Sequence, residues 1–173
     1  MKNILLLFLA GCLTMEGCKK TGNGTSSDTL PPITQTGANT FGCLINGKVY
    51  TPKGFDQNHP NFDMIVDPGY YGNLEITTFS ESNGLTSKLI INCFGITGIN
   101  NFYLPKDSIY PFFQTNNCSY NDPLYKFRSG FFKITKYDLI NNVISGEFEF
   151  KLYDPTISCD TIRITQGRFD KKL

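Results

Sequence analysis

Tryptophan is absent from this 173-residue chain, histidine occurs once, at His59, and alanine twice, at Ala10 and Ala38. Each scarcity removes a class of answer. With so little alanine, with Phe, Tyr, Ile and Thr abundant, and with no long stretch spacing apolar residues at three and four, helix is excluded as the main element. A lone histidine leaves a Ser-His-Asp triad with nothing local to build on. No Gly-x-Ser-x-Gly elbow, phosphate loop or pair of catalytic carboxylates occurs at a recognisable spacing either. Charge of one sign is also lacking, since 16 Lys and Arg stand against 15 Asp and Glu. That balance argues against nucleic acid or another polyanion as the main target. The unbroken apolar run from Ile4 to Ala10 is too short to span a bilayer as a helix.

That run nevertheless carries information. Lys2 gives a positive n-region, Ile4 to Ala10 has the length of an h-region, and together they form an export signal. Two cysteines follow, in Leu9-Ala10-Gly11-Cys12 and Glu16-Gly17-Cys18. A small residue followed by Cys resembles a bacterial lipobox, in which the thiol is acylated and the signal removed. Cys12 has the closer motif, whereas Cys18 leaves a more ordinary h-region and, as Cys18-Lys19-Lys20, resembles the start of mature Bacteroidetes lipoproteins. We expect residues 1–17 to be the signal and Cys18 the lipidated residue, with Cys12 as the alternative. Acyl chains contribute about 0.8 kcal/mol per buried methylene, so two or three would hold the protein on a membrane. The expected location is the outer membrane, facing the periplasm, because no acidic run follows Cys18. Residues 18–39, rich in Gly, Ser, Thr, Asn and Pro, read as a flexible tether.

Residues 40–173 then fit one domain with room for a core. Asn46-Gly47 between Phe41–Ile45 and Lys48–Thr51 marks a tight hairpin, because its turn needs positive φ. Strands are expected at 73–79 and 88–94 around a turn-rich connection, and short ones at 102–104, 109–114 and 124–127. Farther on, 131–136 pairs with 143–153, where Ile144, Phe148, Phe150 and Leu152 point in and Ser145, Glu147, Glu149 and Lys151 point out. Gly146 leaves room for a bulky neighbour on the inner face. Arg163 is expected opposite Glu147 or Glu149, and Phe169 regains an inward direction if a bulge falls near Gln166-Gly167. The sum is an all-β fold, an antiparallel meander forming a β-sandwich, with a lipocalin-like β-barrel as the alternative.

Three segments, residues 41–50, 144–150 and 164–170, resemble an uncharacterised family of Bacteroidetes envelope lipoproteins, and the likeness runs through the whole domain in order. It implies a signal, a lipid anchor and a β-rich fold, and no activity. The cysteines agree with such an address. Cys43, Cys93, Cys118 and Cys159 make an even number in a compartment that permits disulfides. Two bridges are expected; three pairings are open, with strand joined to strand and loop to loop preferred. No Cys-x-x-Cys spacing suggests zinc.

His59 lies in Asp56-Gln57-Asn58-His59-Pro60-Asn61, where Pro60 and Asn61 break a calcium-loop pattern, so a solvated loop is the reading and no metal or other cofactor is expected. Aromatic residues crowd the middle of the chain, and Tyr110, Phe112, Tyr120 and Tyr125 are the candidates for a ligand surface. The functional expectation is a non-catalytic, lipid-anchored envelope module that binds or scaffolds another protein. The alternative is a binder of a small apolar ligand or glycan through those rings.

Overall fold

The computed structural model describes residues 29–54, 60–82, 84–104, 108–120 and 128–173. Cys12, Cys18, His59, Tyr125 and the strand expected at 124–127 lie outside the described residues. Within them the chain forms β1 (Thr40–Ile45), β2 (Lys48–Tyr50), β3 (Phe62–Asp67), β4 (Asn73–Ser82), β5 (Leu85–Cys93) and β6 (Asn100–Leu104). It continues through β7 (Ile109–Thr115), β8 (Ser119–Tyr120), β9 (Arg128–Asp138), β10 (Val143–Leu152) and β11 (Ile162–Lys172). One sheet has the order β2-β1-β11-β10-β9-β6 and the other β3-β4-β5-β7-β8. Both are antiparallel and neither closes on itself, so the architecture is the sandwich and not the barrel. The chain is not one continuous meander: it crosses between the sheets after β2, β5, β6 and β8, so that β6 pairs with β9 while β7 lies beside β5.

Local chemistry accounts for most of these elements. Asn46 and Gly47 both have positive φ, 48° and 80°, and bring Ile45 opposite Lys48. The β3 strand was not apparent from composition, because Asp63 and Asp67 disguise an alternation in which Phe62 and Met64 are buried. Between the sheets, Leu74, Ile76, Leu89 and Ile91 meet Ile134, Ile144, Phe148 and Ile164, all fully shielded. Burying each such side chain contributes about 1.5–3 kcal/mol. Phenylalanines do the bulk filling that tryptophan would do elsewhere. Phe132 stacks on Phe169 at 5.5 Å, and Phe148 lies between Phe41 and Phe150 at 5.4 and 5.5 Å.

The bulge falls where the alternation demands it. Phe148 pairs with Gly167 but Phe150 with Ile164, so one residue too many lies on β11, and Gln166 there has φ 52°. Phe169 is thereby turned inward, and its ring occupies the space beside Gly146, where a Cβ would come within 2.5 Å of it. The expected Arg163–glutamate pair does not form. Because the 153–161 connection sets Ile162 opposite Leu152, Arg163 faces Lys151, Arg168 takes the place across from Glu147, and Glu149 Oε1 accepts the Gln166 N–H at 3.2 Å.

Of the four domain cysteines, Cys118 and Cys159 are bonded to each other, and the bridge joins the β7–β8 turn to the β10–β11 connection. Beside it the Tyr120 hydroxyl donates to the Asp160 carbonyl at 2.6 Å, so one flank of the two sheets is tied twice. A second bridge was expected and is not formed. Cys43 in β1 and Cys93 in β5 belong to different sheets, and each is a thiol packed into the apolar core as a small hydrophobic side chain. Burial pushes the Cys43 thiol far above its ordinary range, although Arg168 works in the other direction. Replacing Cys118 and Cys159 by Ser should lower unfolding free energy by about 2–4 kcal/mol in urea denaturation, since the bridge closes a loop with a sequence separation of 41 residues.

Candidate functional site

Three surface features stand out once the sheets are in place. The first is a strap. Residues 29–39, expected to be part of the flexible tether, are docked on the outer face of β1, β10 and β11. Gly42 faces outward with no side chain, and Pro31 and Leu30 come within 2.6 and 3.3 Å of where a Cβ would be. Arg168 donates to the Pro31 carbonyl at 3.3 Å, and Gln35 to that of Thr135 at 3.4 Å.

The strap closes over Asp170. Its Oδ2 accepts the Thr34 hydroxyl at 2.7 Å and the N–H groups of Thr36 and Ala38 at 2.9 and 3.1 Å; its Oδ1 accepts the Gly37 N–H and the Ser145 hydroxyl, both at 2.8 Å. Ser145 and Asp170 therefore point away from the core yet are 0% and 1% exposed, against the expectation that Ser145 faces water. Burial works against the charged carboxylate, but the donors from Thr34, Ala38, Ser145 and Thr36 outweigh it and hold the Asp170 carboxyl well below the usual range.

The second feature is an apolar stripe on the outer face of the opposite sheet. Ile90 pairs with Phe112, Asn92 with Tyr110, and the Tyr110 ring lies edge-on to Phe94 at 5.8 Å. On β4 Thr77 lies across from Ile90 and Glu75 across from Asn92, while Phe79 stands opposite Lys88 and Ile65, 55% exposed, opposite Glu75. Tyr110 and Phe112 are thus brought together, half-buried, whereas Tyr120 points the other way. It packs inward on Phe113 at 6.2 Å with 4% exposure, and burial, then Asp160, raises its hydroxyl pKa. Of the three candidate rings among the described residues, Tyr110 and Phe112 share a face and Tyr120 does not.

The third feature was not anticipated. A cleft of about 680 Å³ lies between the β1–β2 hairpin, the ends of β4 and β5, and the β7–β8 turn that carries Cys118. Its floor is Tyr50 and Phe113, both buried, and Ser80, Ser87 and Thr115 line it. Tyr50 shares a hydrogen bond of 3.0 Å with Thr78, which in turn donates to the Leu89 carbonyl; burial raises the Tyr50 hydroxyl pKa strongly, and the Thr78 hydrogen bond opposes that. The signal in the sequence is the hydroxyl residues at inward positions of β4, of which Thr78 falls within the expected strand and Ser80 beyond its expected end. Among the described residues no group of three or more His, Cys, Asp or Glu is gathered.

The fold defines an antiparallel β-sandwich with a docked N-terminal strap. No family model, curated protein or solved structure matches this chain.

Asp170→Ala leaves several donors under the strap without their acceptor and should cost about 3 kcal/mol of stability in urea. The pH dependence has a definite sign. With its folded pKa depressed, Asp170 stabilises the fold fully above the unfolded value of about 3.9, and that contribution is lost as pH falls below it towards the folded value. The Ala variant should lack that acid-sensitive component.

Proposed function

We propose that this protein is a non-catalytic module of the bacterial cell envelope, anchored by lipid on Cys18, or on Cys12, and binding another envelope protein through its β-domain. The observation that carries the partner reading is the apolar group of Ile90, Phe94, Tyr110 and Phe112, bordered by Thr77, Glu75 and Asn92. An antiparallel sheet with one wet side is ordinarily polar there, and the other sheet obeys that rule with Glu147, Lys151, Arg163 and Arg168. Apolar residues gathered on an outer face are the usual mark of an interaction surface.

The strap supports the same arrangement. From Cys18 to Thr29 the chain reaches at most about 40 Å when extended, which keeps the domain close to the bilayer. Because the tether is taken up on the charged sheet, the apolar stripe lies on the side of the sandwich away from the strap.

In-cell cross-linking with mass spectrometry checks both halves of the proposal. The expected result is an acylated Cys18 peptide at the mature N-terminus and one recurrent partner cross-linked near β5 and β7, lost when Phe112 is replaced by Ser without a change in melting temperature. A monomer with no recurrent cross-link, or an unmodified N-terminus, would contradict it.

A further inference from the structure

We propose that one corner of the sandwich, formed by the β3–β4 and β9–β10 turns with Ile99 between them, seats against the bilayer. Leu139 and Ile140 enter the acyl boundary there, and Tyr70 and Tyr71 lie at headgroup level. The inference rests on the lipid-anchored reading and adds a second contact with the same membrane.

Tyr71 sits where tyrosine is strained. It and Gly72 have φ 53° and 61°, and the Asn73 N–H donates across them to the Tyr70 carbonyl at 3.1 Å, so they make a turn like that of Asn46-Gly47. Asn-Gly adopts this turn readily, whereas a bulky side chain with positive φ is an outlier. Packing gives little in return: the Tyr71 ring is 79% exposed and meets the exposed Tyr70 ring edge-on at 5.3 Å. Nor is the turn loose. Asp67 Oδ1 accepts the N–H groups of Gly69 and Tyr70 at 2.9 and 3.0 Å, and the carbonyls of Tyr71 and Gly72 accept those of Gly95 and Ile96 at 2.8 and 3.0 Å. Strain held in place at an exposed side chain points to a functional contact.

Sheet geometry sets further apolar tips beside it. Lys171, near the end of β11, lies over the Phe62 ring at the start of β3, 4.7 Å from its centre. The turn that follows β3 is bonded to Gly95 and Ile96, which lead into β6. Since β11, β10, β9 and β6 are successive neighbours, β3 runs across their ends, and the β9–β10 turn projects along the same edge. Ile140 at its tip is 94% exposed, and Leu139 and Ile99 are exposed as well. Asp138 fixes this tip by accepting the N–H and the side-chain amide of Asn141, both at 2.9 Å.

Convex tips on separate turns, with the carbonyls of Tyr71, Gly72, Asn141 and Asn142 already bonded within the protein, offer no cradle to a small ligand and no edge to a strand. A bilayer needs neither, and takes aliphatic side chains at its acyl boundary and tyrosine at its headgroups. Lys136 stands 3.8 Å from Asp138, so apolar burial and not charge drives the contact. The anchor can reach: Thr29 lies beside Pro52 and Phe62 at the start of β3. The length of β3, about 17 Å, is well within the roughly 40 Å that the chain from Cys18 can span.

Because the chain has no tryptophan, Tyr71→Trp and Ile140→Trp each introduce a single fluorophore. The full acylated chain is placed on phosphatidylcholine vesicles with brominated acyl chains, and Asn117→Trp, between β7 and β8 at the opposite end of that sheet, is the reference. Flotation reports anchoring, and melting temperature reports folding. Emission from positions 71 and 140 should be blue-shifted and quenched at least about twofold more than from 117, with no gain when phosphatidylglycerol is added. Tyr71→Asn, which makes the turn Asn-Gly, should raise the melting temperature and, in the Ile140→Trp chain, reduce the quenching. A chain that does not float overturns the anchor reading and the inference together. The inference alone is overturned if the chain floats with positions 71 and 140 quenched no more than 117, or if Tyr71→Asn lowers the melting temperature or leaves quenching at 140 unchanged.

Discussion

A single buried carboxylate organises one side of this molecule. Asp170 faces outward from β11, where a sheet with one wet side should leave it hydrated, and instead it collects donors from Thr34, Thr36, Gly37, Ala38 and Ser145. An ionised carboxylate out of water is costly unless its lone pairs are satisfied, and here strap backbone, strap side chain and β10 side chain satisfy them together. The consequence is topological. The N-terminal strap, the first strand and the last strand are joined at one rung, so the beginning and end of the domain stabilise each other.

From that constraint the two sheets acquire different outer faces. One carries the strap and a field of Lys, Arg and Glu; the other carries Ile90, Phe94, Tyr110 and Phe112. Along the sandwich, too, the ends differ. The Cys118–Cys159 bridge and the Tyr120–Asp160 hydrogen bond tie one flank, and a cleft lined by hydroxyl residues opens beside the same β7–β8 turn. Strap, stripe and cleft occupy separate surfaces.

Much of the fold was legible in the sequence because its determinants are local. Asn46-Gly47 prescribes a hairpin, strict alternation in Val143–Leu152 prescribes a half-buried strand, and the phase error of Phe169 prescribes a bulge. What was not legible depends on distant partners. Nothing in the composition of residues 29–39 separates a docked strap from a loose tether; the difference is Asp170, more than 130 positions away. Cys43 and Cys93 look like Cys118 and Cys159 in a count of cysteines, and only the folded structure shows the first two as unbridged, buried thiols. The candidate rings were split for a similar reason, since alternation on β7 and β8 sends Tyr110 and Phe112 outward and Tyr120 inward. The cleft went unseen because serine on an inner face has meaning only when three neighbouring strands are aligned.

The most direct measurement is amide hydrogen exchange at Thr36, Gly37 and Ala38, the backbone donors to Asp170. If the carboxylate holds the strap, these amides are protected at neutral pH to nearly the same degree as those of β11, and Asp170→Asn brings them close to the rate of an unstructured chain while the β4–β5 amides stay protected. Exchange at the unstructured rate in the unaltered protein at neutral pH would contradict the account.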